Sequence, residues 1–423
     1  MPIIKDYKKA KKKIKEISSR FDLSKRKKEY EIVEKIVEDV KTQGDKALFS
    51  YTKKFDKQNL KSLRVSKKEL DGSLSKISKP LLSSIKAAIS RIIAFQKTNA
   101  PKSWVKTFKH GEKLGYKYSP LDSVAVYIPG GHSPLISTVL MTVIPAKVAG
   151  VKRIAVFTPP PVNPGILAAC KLLGISEVYQ IGGAQAIAVC AYGSKTIKPF
   201  CKVVGPGNIF VTLAKKIVFG KIGIDGLFGP SEIAIIADKS ANPKYLAGDL
   251  LSQLEHGSGL ESAFMLTDSE TLAKETEKEL LKHAQTLPNK ETILKSWKNN
   301  SAIVVVSNLE NGLELINDLA PEHLEIITKS PQKYANKIRN AGAVFIGEYT
   351  CESVGDYVAG PSHCLPTGSS AKFSSGLTVM DFMKKISILS FNKKSFDSVA
   401  SHIANLADAE GLKAHGDAVR IRR

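Results

Sequence analysis

The chain has 423 residues and a mass of 45.9 kDa, which is enough for two or three domains and excludes a peptide hormone or a disulfide-stapled miniprotein. Hydrophobic residues make up 43% of the chain and charged residues 24%, so neither a disordered chain nor a fibrous repeat fits. Lysine and arginine outnumber aspartate and glutamate by 63 to 40, which gives a formal net charge of +23. The basic N-terminus lacks interleaved aromatic residues, so a solvated basic surface is favoured over nucleic-acid binding.

The sequence contains no signal for export or for insertion into a membrane. No apolar run approaches the roughly 20 residues that cross a bilayer, and the lysine-rich N-terminus has no apolar core of a signal peptide. The five cysteines are widely spaced and include no C-x-x-C pair. We therefore expect no membrane association, reduced thiols and a cytoplasmic location.

Helical periodicity dominates the N-terminal region, residues 1–119. Apolar residues recur at intervals of three and four residues from Tyr30 to Val40, and again from Leu81 to Ile93. We expect this region to be helical and to pack on the second of the two modules that follow it.

Residues 120–229 alternate between short β-branched runs and helical patterns. The predicted strands end in glycine or proline and are Ser123–Ile128, Arg153–Thr158 and Glu177–Ile181. The helical patterns between them include Ser137–Val148 and Gly165–Leu173. This alternation predicts βαβ units and a first parallel-sheet module.

Residues 230–377 repeat the alternation and predict a second α/β module. The predicted strands are Glu232–Ala237, Ser262–Leu266, Ala302–Val306 and Ala343–Ile346. The predicted helices are Pro243–His256, Ser269–Gln285 and Leu309–Leu319. The remaining tail, residues 378–423, has one strand-like run and one helical run. It is too short for a domain, so we expect it to pack elsewhere on the molecule or on another subunit.

Three glycine-rich turns follow predicted strands of the first module. They are Ile128–Gly131, Ile181–Gln185 and Val204–Asn208. The dinucleotide fingerprint G-x-G-x-x-G is absent, so an ordinary Rossmann site is not indicated. Each turn alone has a simple explanation in turn geometry. Because the carboxyl ends of parallel strands lie at one edge of a sheet, the three together favour a nucleotide crevice.

The helix Pro243–His256 carries Gln253 and His256 three residues apart, which places both side chains on one face. Oxygen and nitrogen ligands at this spacing can hold one metal ion. A Gln-x-x-His pair alone is more often an ordinary helix surface, so a metal site needs ligands from elsewhere.

Further polar groups lie in loops rich in glycine and proline. Asp356, His363 and His415 are possible ligands or substrate contacts. Glu322 and His323 are adjacent beside Pro321. Such a pair can supply a base that activates water and a proton shuttle, or it can be a capping carboxylate beside a solvated imidazole.

Together these segments resemble the histidinol dehydrogenase family along nearly the whole chain. The matching stretches are Ala125–Gly131, Gly183–Ala186, Gly205–Asn208, Gly229–Glu232, Asp249–Gly257, Ala320–Glu325, Gly355–Thr367, Ser375–Leu377, Asp381–Phe382 and Ala409–Gly416. The resemblance implies the oxidation of L-histidinol to L-histidine through an aldehyde, with two NAD⁺ used in succession. It also implies two incomplete Rossmann-like modules, similar to those of the aldehyde dehydrogenases.

The resemblance assigns roles residue by residue. It implies one zinc ion per subunit, with ligands Gln253, His256, Asp356 and His415. It implies a homodimer in which the tail supplies His415 and Glu410 to the partner's site. The implied catalytic pair is Glu322, which activates water, and His323, the general base.

The resemblance also implies binding residues for both ligands. The implied substrate contacts are Ser231, His363 and Glu410, together with His323 and the zinc ligands. The implied NAD contacts are Tyr127, Gln185 and Asn208, one in each glycine-rich turn. Two alternatives stay open: a zinc metallohydrolase that uses Glu322, and a nucleic-acid-binding protein on a degenerate enzyme fold.

Overall fold

The computed structural model describes residues 3–130 and 134–423, so Gly131 of the first predicted turn lies outside the described residues. The strands are β1 (Trp104–Thr107), β2 (Lys113–Pro120), β3 (Ser123–Tyr127), β4 (Arg153–Thr158), β5 (Glu177–Gln180), β6 (Lys202–Val204), β7 (Gly223–Ile224), β8 (Glu232–Ala237), β9 (Ser262–Thr267), β10 (Ala302–Val305), β11 (His323–Ile327), β12 (Ala343–Ile346) and β13 (Met383–Ser390).

The helices lie between and around these strands. They are α1 (Tyr7–Ser18), α2 (Lys27–Gln43), α3 (Asp45–Asp56), α4 (Lys67–Asp71), α5 (Lys79–Thr98), α6 (Ile136–Val148), α7 (Pro164–Leu172), α8 (Gly183–Tyr192), α9 (Ile209–Val218), α10 (Pro243–Leu254), α11 (Glu270–Ala284), α12 (Lys290–Asn300), α13 (Leu309–Leu319), α14 (Pro331–Ala335), α15 (Glu352–Tyr357), α16 (Lys393–Ala409) and α17 (Lys413–Arg420). None of the helices in the described ranges is long and apolar enough to span a bilayer.

Two parallel five-stranded sheets form the two modules, in the orders β5-β4-β3-β6-β7 and β10-β9-β8-β11-β12. Their central strands are buried on both faces, as the continuous apolar runs in β3 and β8 require. The prediction of an α/β fold with two parallel-sheet modules is confirmed. Both modules therefore have a carboxyl edge and an amino edge on which a site can form.

The N-terminal helices divide between the two modules. Apolar residues of α1 pack with β8, β9 and α13 of the second sheet. Helices α2 and α3 pack on α8 and α9, and α5 packs on α6, all in the first module. The expected packing of the whole region on the second module is therefore wrong for α2, α3 and α5. Their apolar stripes match the faces of α6, α8 and α9 rather than the second sheet.

Residues 1–119 are also not wholly helical, because β1 and β2 form an antiparallel hairpin. Strand β13 of the tail pairs along the whole of β2, from Met383 opposite Pro120 to Ser390 opposite Lys113. This small sheet anchors the tail to the region before the first module, and α16 and α17 continue beyond it.

Candidate active site

Glu322 and His323 lie where α13 turns into β11. Ala320 ends α13 in the left-handed conformation, with φ of 48°, and Pro321 cannot continue the helix. The chain therefore reverses into β11, a strand that the sequence did not reveal. Both side chains are buried, at 8% and 3% exposure, so the interpretation as a solvated capping pair is wrong.

The main chain of Glu232 holds both side chains. The N–H of Glu232 donates to Oε2 of Glu322 at 3.0 Å. The Nδ1 of His323 lies 3.0 Å from the carbonyl oxygen of Glu232. A carbonyl oxygen only accepts, so Nδ1 carries a proton, and Nε2 is the nitrogen at which the ring gains or loses its second proton. That Nε2 is buried and has no hydrogen-bond partner within residues 3–130 and 134–423.

The surroundings shift the acidity of both groups. Burial raises the pKa of Glu322 to about 8, although the positive charge of His323 opposes this change. Burial would lower the pKa of His323, but the carboxylates of Glu322 and Asp356 outweigh it and raise the pKa to about 10. Both shifts make the deprotonated groups stronger bases than they are in water, and each group can accept a proton only after it has released its own.

Asp356 and Glu352 approach His323 from α15. The Nε2 of His323 lies 3.6 Å from Oδ1 of Asp356. One atom each of His323, Glu352 and Asp356 lies within 4.8 Å of the others, so the three can surround a cation. This group contains Asp356 of the predicted zinc ligands. Glu352 is held by the hydroxyl of Ser252, which donates to its Oε2 at 2.7 Å.

Helix α10 brings Gln253 and His256 to the same edge. It connects the parallel neighbours β8 and β9, so its C-terminal end returns to the amino edge of the sheet, where β11 begins. Gln253 is fully buried, and neither atom of its amide has a hydrogen-bond partner in the described part of the chain. A buried amide without a hydrogen-bond partner lowers the stability of the fold unless a bound group satisfies it. Gln253 is therefore suited to act as a ligand of a metal ion. His256 follows the end of α10 and is exposed. Its Nδ1 atom lies 3.1 Å from the carbonyl oxygen of Gln253.

His363 links this edge to the first module. Its Nδ1 lies 3.1 Å from the carbonyl oxygen of Asp356, and its Nε2 lies 3.1 Å from the hydroxyl of Thr138 in α6. Burial lowers the pKa of His363, although the carboxylate of Asp356 opposes this change. The ring is therefore neutral, with Nδ1 as donor and Nε2 as acceptor. Ser231 immediately precedes β8 at the same edge.

The two tail residues of the predicted site lie elsewhere in the single chain. Glu410 caps the end of α16, and His415 lies in α17. Both are exposed, and the metal-capable group formed by the described residues contains neither. One chain therefore brings together the predicted groups of the second module without those of the tail.

Described residues of all three glycine-rich turns, namely Gly130, Gly183, Gln185 and Asn208, line one cavity of about 1010 Å³ at the carboxyl edge of the first sheet. The Tyr127 hydroxyl accepts from the N–H of Gly183 at 3.0 Å, and Asn208 caps α9 through Oδ1. Oε1 of Gln185 is buried without a hydrogen-bond partner among the described residues. The cavity size and the unsatisfied Gln185 oxygen fit a bound dinucleotide.

A model of the histidinol dehydrogenase family matches residues 20–423. The chain belongs to the histidinol dehydrogenase family. The histidinol dehydrogenase of Oceanobacillus iheyensis is 47% identical over 393 residues, which cover 92% of each chain. That of Bacillus subtilis is 46% identical, again over 92% of each chain. A crystal structure of the enzyme from Elizabethkingia anophelis, 38% identical, superposes with a TM-score of 0.90 over 93% of this chain and 91% of that one.

Membership of the histidinol dehydrogenase family makes the chain an NAD-dependent oxidoreductase of histidine biosynthesis. The match extends over both modules and the tail, so it favours a dehydrogenase over the metallohydrolase and the nucleic-acid-binding protein.

The structure also identifies residues to which the sequence assigned no role. Arg20, just after α1, forms a buried ion pair with Glu232, with Nη1 and Oε1 2.7 Å apart and side-chain exposures of 6% and 4%. In the first module, Lys215 and Asp225 form a second buried pair, 2.6 Å apart. Lys215 donates to the Gly205 carbonyl oxygen, and Asp225 accepts from the Gly205 N–H at 2.6 Å. The first pair fixes the segment around Glu232, and the second fixes the third glycine-rich turn.

Proposed function

We propose that the chain oxidises L-histidinol to L-histidine through L-histidinaldehyde, with two molecules of NAD⁺ reduced in succession. The observation that carries the proposal is the buried Glu322–His323 pair, held by Glu232 next to Asp356 and Gln253. The membership of the histidinol dehydrogenase family supports the choice of substrate.

In the first oxidation His323 acts as general base through Nε2. It takes the hydroxyl proton of the substrate while a hydride leaves the same carbon for the nicotinamide ring. The Nδ1–H of His323 already donates to the Glu232 carbonyl oxygen, so the imidazolium that forms is stabilised in place. The products of this step are the aldehyde, NADH and the proton on His323.

In the second oxidation Glu322 acts on water. One carboxyl oxygen is fixed by the Glu232 N–H, and the raised pKa makes the group a stronger base than an ordinary glutamate. Glu322 removes a proton as water adds to the aldehyde carbon. A second hydride then leaves the hydrate anion for another NAD⁺, and the carboxylic acid that results releases its proton to solvent to give the carboxylate of histidine.

The metal ligands of the proposal are Gln253, His256 and Asp356 of one subunit with His415 of the other, for one zinc ion per subunit. A zinc ion held by these residues would supply a Lewis-acidic centre that binds nitrogen atoms of the substrate and orients the reacting carbon. Ser231, His363 and Glu410 complete the proposed substrate contacts, and Tyr127, Gln185 and Asn208 the proposed NAD contacts.

Removal of the metal tests the ligand set. We expect NADH formation from L-histidinol to be lost on chelation and restored by zinc. We expect H256A to retain little zinc after reconstitution and dialysis, because one of four ligands is missing. Zinc content per subunit measured by atomic emission checks this result, with H283A as the matched control, because His283 is a surface residue of α11. Equal zinc content in H256A and H283A would contradict the ligand assignment.

We further propose a homodimer in which each tail reaches the active site of the partner. Glu410 and His415 are exposed in the tail, and several large apolar side chains of the tail are exposed as well. Among these, Leu389 is 69% exposed, Leu406 65% and Ile421 79%. Such an apolar surface is typical of an oligomer interface.

Mixed dimers test the shared site. H323A and H415A subunits are each expected to be inactive alone. In a heterodimer, the H415A subunit keeps its own His323 and receives His415 from the H323A subunit, so one of the two active sites is complete. Mixing the two variants under conditions of subunit exchange is therefore expected to restore part of the activity. The measurement is NADH formation before and after exchange, with exchange monitored by mass spectrometry. Heterodimers that form without any recovery would place His415 in its own subunit.

A further inference from the structure

Asp56 is the last residue of α3 and lines the cavity that also contains Tyr127, Gln185 and Asn208. Its Oδ2 atom is buried and has no hydrogen-bond partner among the described residues. No lysine, arginine or histidine of the described chain lies within 4.0 Å of its carboxylate. The ammonium of Lys54 lies over the Phe55 ring instead, 5.5 Å from the ring centroid.

A charged carboxylate is destabilised at the position of Asp56, at the C-terminal end of α3. The C-terminal end of a helix carries partial negative charge, which disfavours an anion there. Burial raises the pKa of Asp56 to about 6, with no compensating partner. Since no described residue forms a hydrogen bond with Oδ2 of this group, a ligand that donates hydrogen bonds to it would remove the cost.

The sheet topology shows which end of a dinucleotide reaches Asp56. The segment after α3 runs along β5, where Val65 donates to the Val178 carbonyl oxygen and Gln180 donates to that of Leu63, each at 2.9 Å. Strand β5 is one edge of the first sheet, and β7, from which the chain enters the second module, is the other edge. The nicotinamide must lie toward the catalytic pair of the second module. The adenosine half therefore lies toward β5 and Asp56.

The same corner offers an apolar surface for the base. Phe55 and Ile32 line the cavity and are 47% and 49% exposed, so both side chains can contact a ligand there. An adenine ring can lie against such a surface, and its ribose then comes within reach of the adjacent carboxylate.

We propose that Asp56 binds the adenosine ribose of NAD and excludes NADP. The 2′ and 3′ hydroxyls of the ribose are hydrogen-bond donors, which match an acceptor-only carboxylate. The 2′-phosphate of NADP removes one donor and places two negative charges against Asp56. The inference rests on the proposed NAD-linked activity and adds the residue that selects the cofactor.

Calorimetric titration with ADP-ribose and 2′-phospho-ADP-ribose tests the proposal without any turnover. Wild-type protein is expected to bind ADP-ribose and to reject the phosphorylated ligand. D56N is expected to bind ADP-ribose roughly 10- to 100-fold more weakly, the range for hydrogen bonds to a charged group. D56N is also expected to bind the 2′-phosphorylated ligand at least as tightly as wild type does, so its discrimination falls.

The matched control is D45N, which removes the same charge from the other end of α3 and is expected to leave both affinities unchanged. D56S gives a second variant should D56N fold poorly. Unchanged ADP-ribose affinity in a folded D56 variant would overturn the proposal, and so would an equal loss of both ligands. Because neither ligand reacts, a chain that binds them with this selectivity but fails to oxidise histidinol would refute only the proposed reaction.

Discussion

H323N is expected to lower kcat for histidinol oxidation by about 10³-fold, the central range for loss of a general base. Asparagine keeps a donor toward the Glu232 carbonyl oxygen but has no basic nitrogen at the position of Nε2. KM for L-histidinol is expected to change much less than kcat, because the proposed metal ligands and His363 remain. Initial rates of NADH formation over a range of histidinol concentrations separate the two constants.

H283N is the matched control for this substitution, since it makes the same change at an exposed histidine of α11. Its rates are expected to equal those of the parent protein. If H323N kept more than a tenth of the parent kcat, His323 would not be the base, and the proposed first oxidation would need another acceptor for the hydroxyl proton.

R20M is expected to lower the free energy of unfolding by about 3–5 kcal/mol, because it leaves Glu232 buried without its counter-ion. The guanidinium also donates to the carbonyl oxygens of Leu260 and Ile17, at 2.7 and 2.8 Å, and both bonds are lost. Methionine keeps much of the side-chain volume, so the effect reports on charge and hydrogen bonds rather than on a cavity. Urea denaturation measures the change.

R26M is the matched control, because Arg26 pairs with Glu29 at 3.5 Å near the surface, where such a pair contributes about 0–1 kcal/mol. R20M/E232Q is expected to recover part of the stability that R20M loses, since neither charge is then left buried alone. Equal destabilisation by R20M and R26M would show that the buried pair does not hold the catalytic edge together.

The sequence predicted the parts of the fold that depend on local patterns. The runs Arg153–Thr158 and Glu232–Ala237 form strands with the predicted bounds, and the pattern Leu309–Leu319 forms α13. Strand β11 escaped detection because His323 and Glu325 interrupt its apolar run. Both are buried, and Glu325 accepts from the N–H of Glu352 at 2.7 Å, a partner that only the tertiary structure supplies.

Parallel sheets usually bind ligands at the carboxyl ends of their strands, and only the first module follows this rule. The glycine-rich turns lie at the carboxyl edge of the first sheet, where parallel sheets place ligands. The proposed catalytic pair lies at the amino edge of the second sheet, because Glu322 and His323 precede and begin β11. A search confined to loops after strands misses such a pair, and the sequence indicated it only through the adjacent Glu and His beside Pro321. Arg20 was equally hidden, since a basic N-terminal segment gives no sign of which cation is buried.

The stoichiometry of NADH and histidine tests the central claim most directly. Zinc-loaded protein is mixed with a limiting amount of L-histidinol and excess NAD⁺, and the final NADH absorbance and the amino acid formed are both measured. The proposed four-electron oxidation requires two NADH and one L-histidine for each histidinol consumed. One NADH with aldehyde as the final product, or no NADH from folded and zinc-loaded protein, would contradict it.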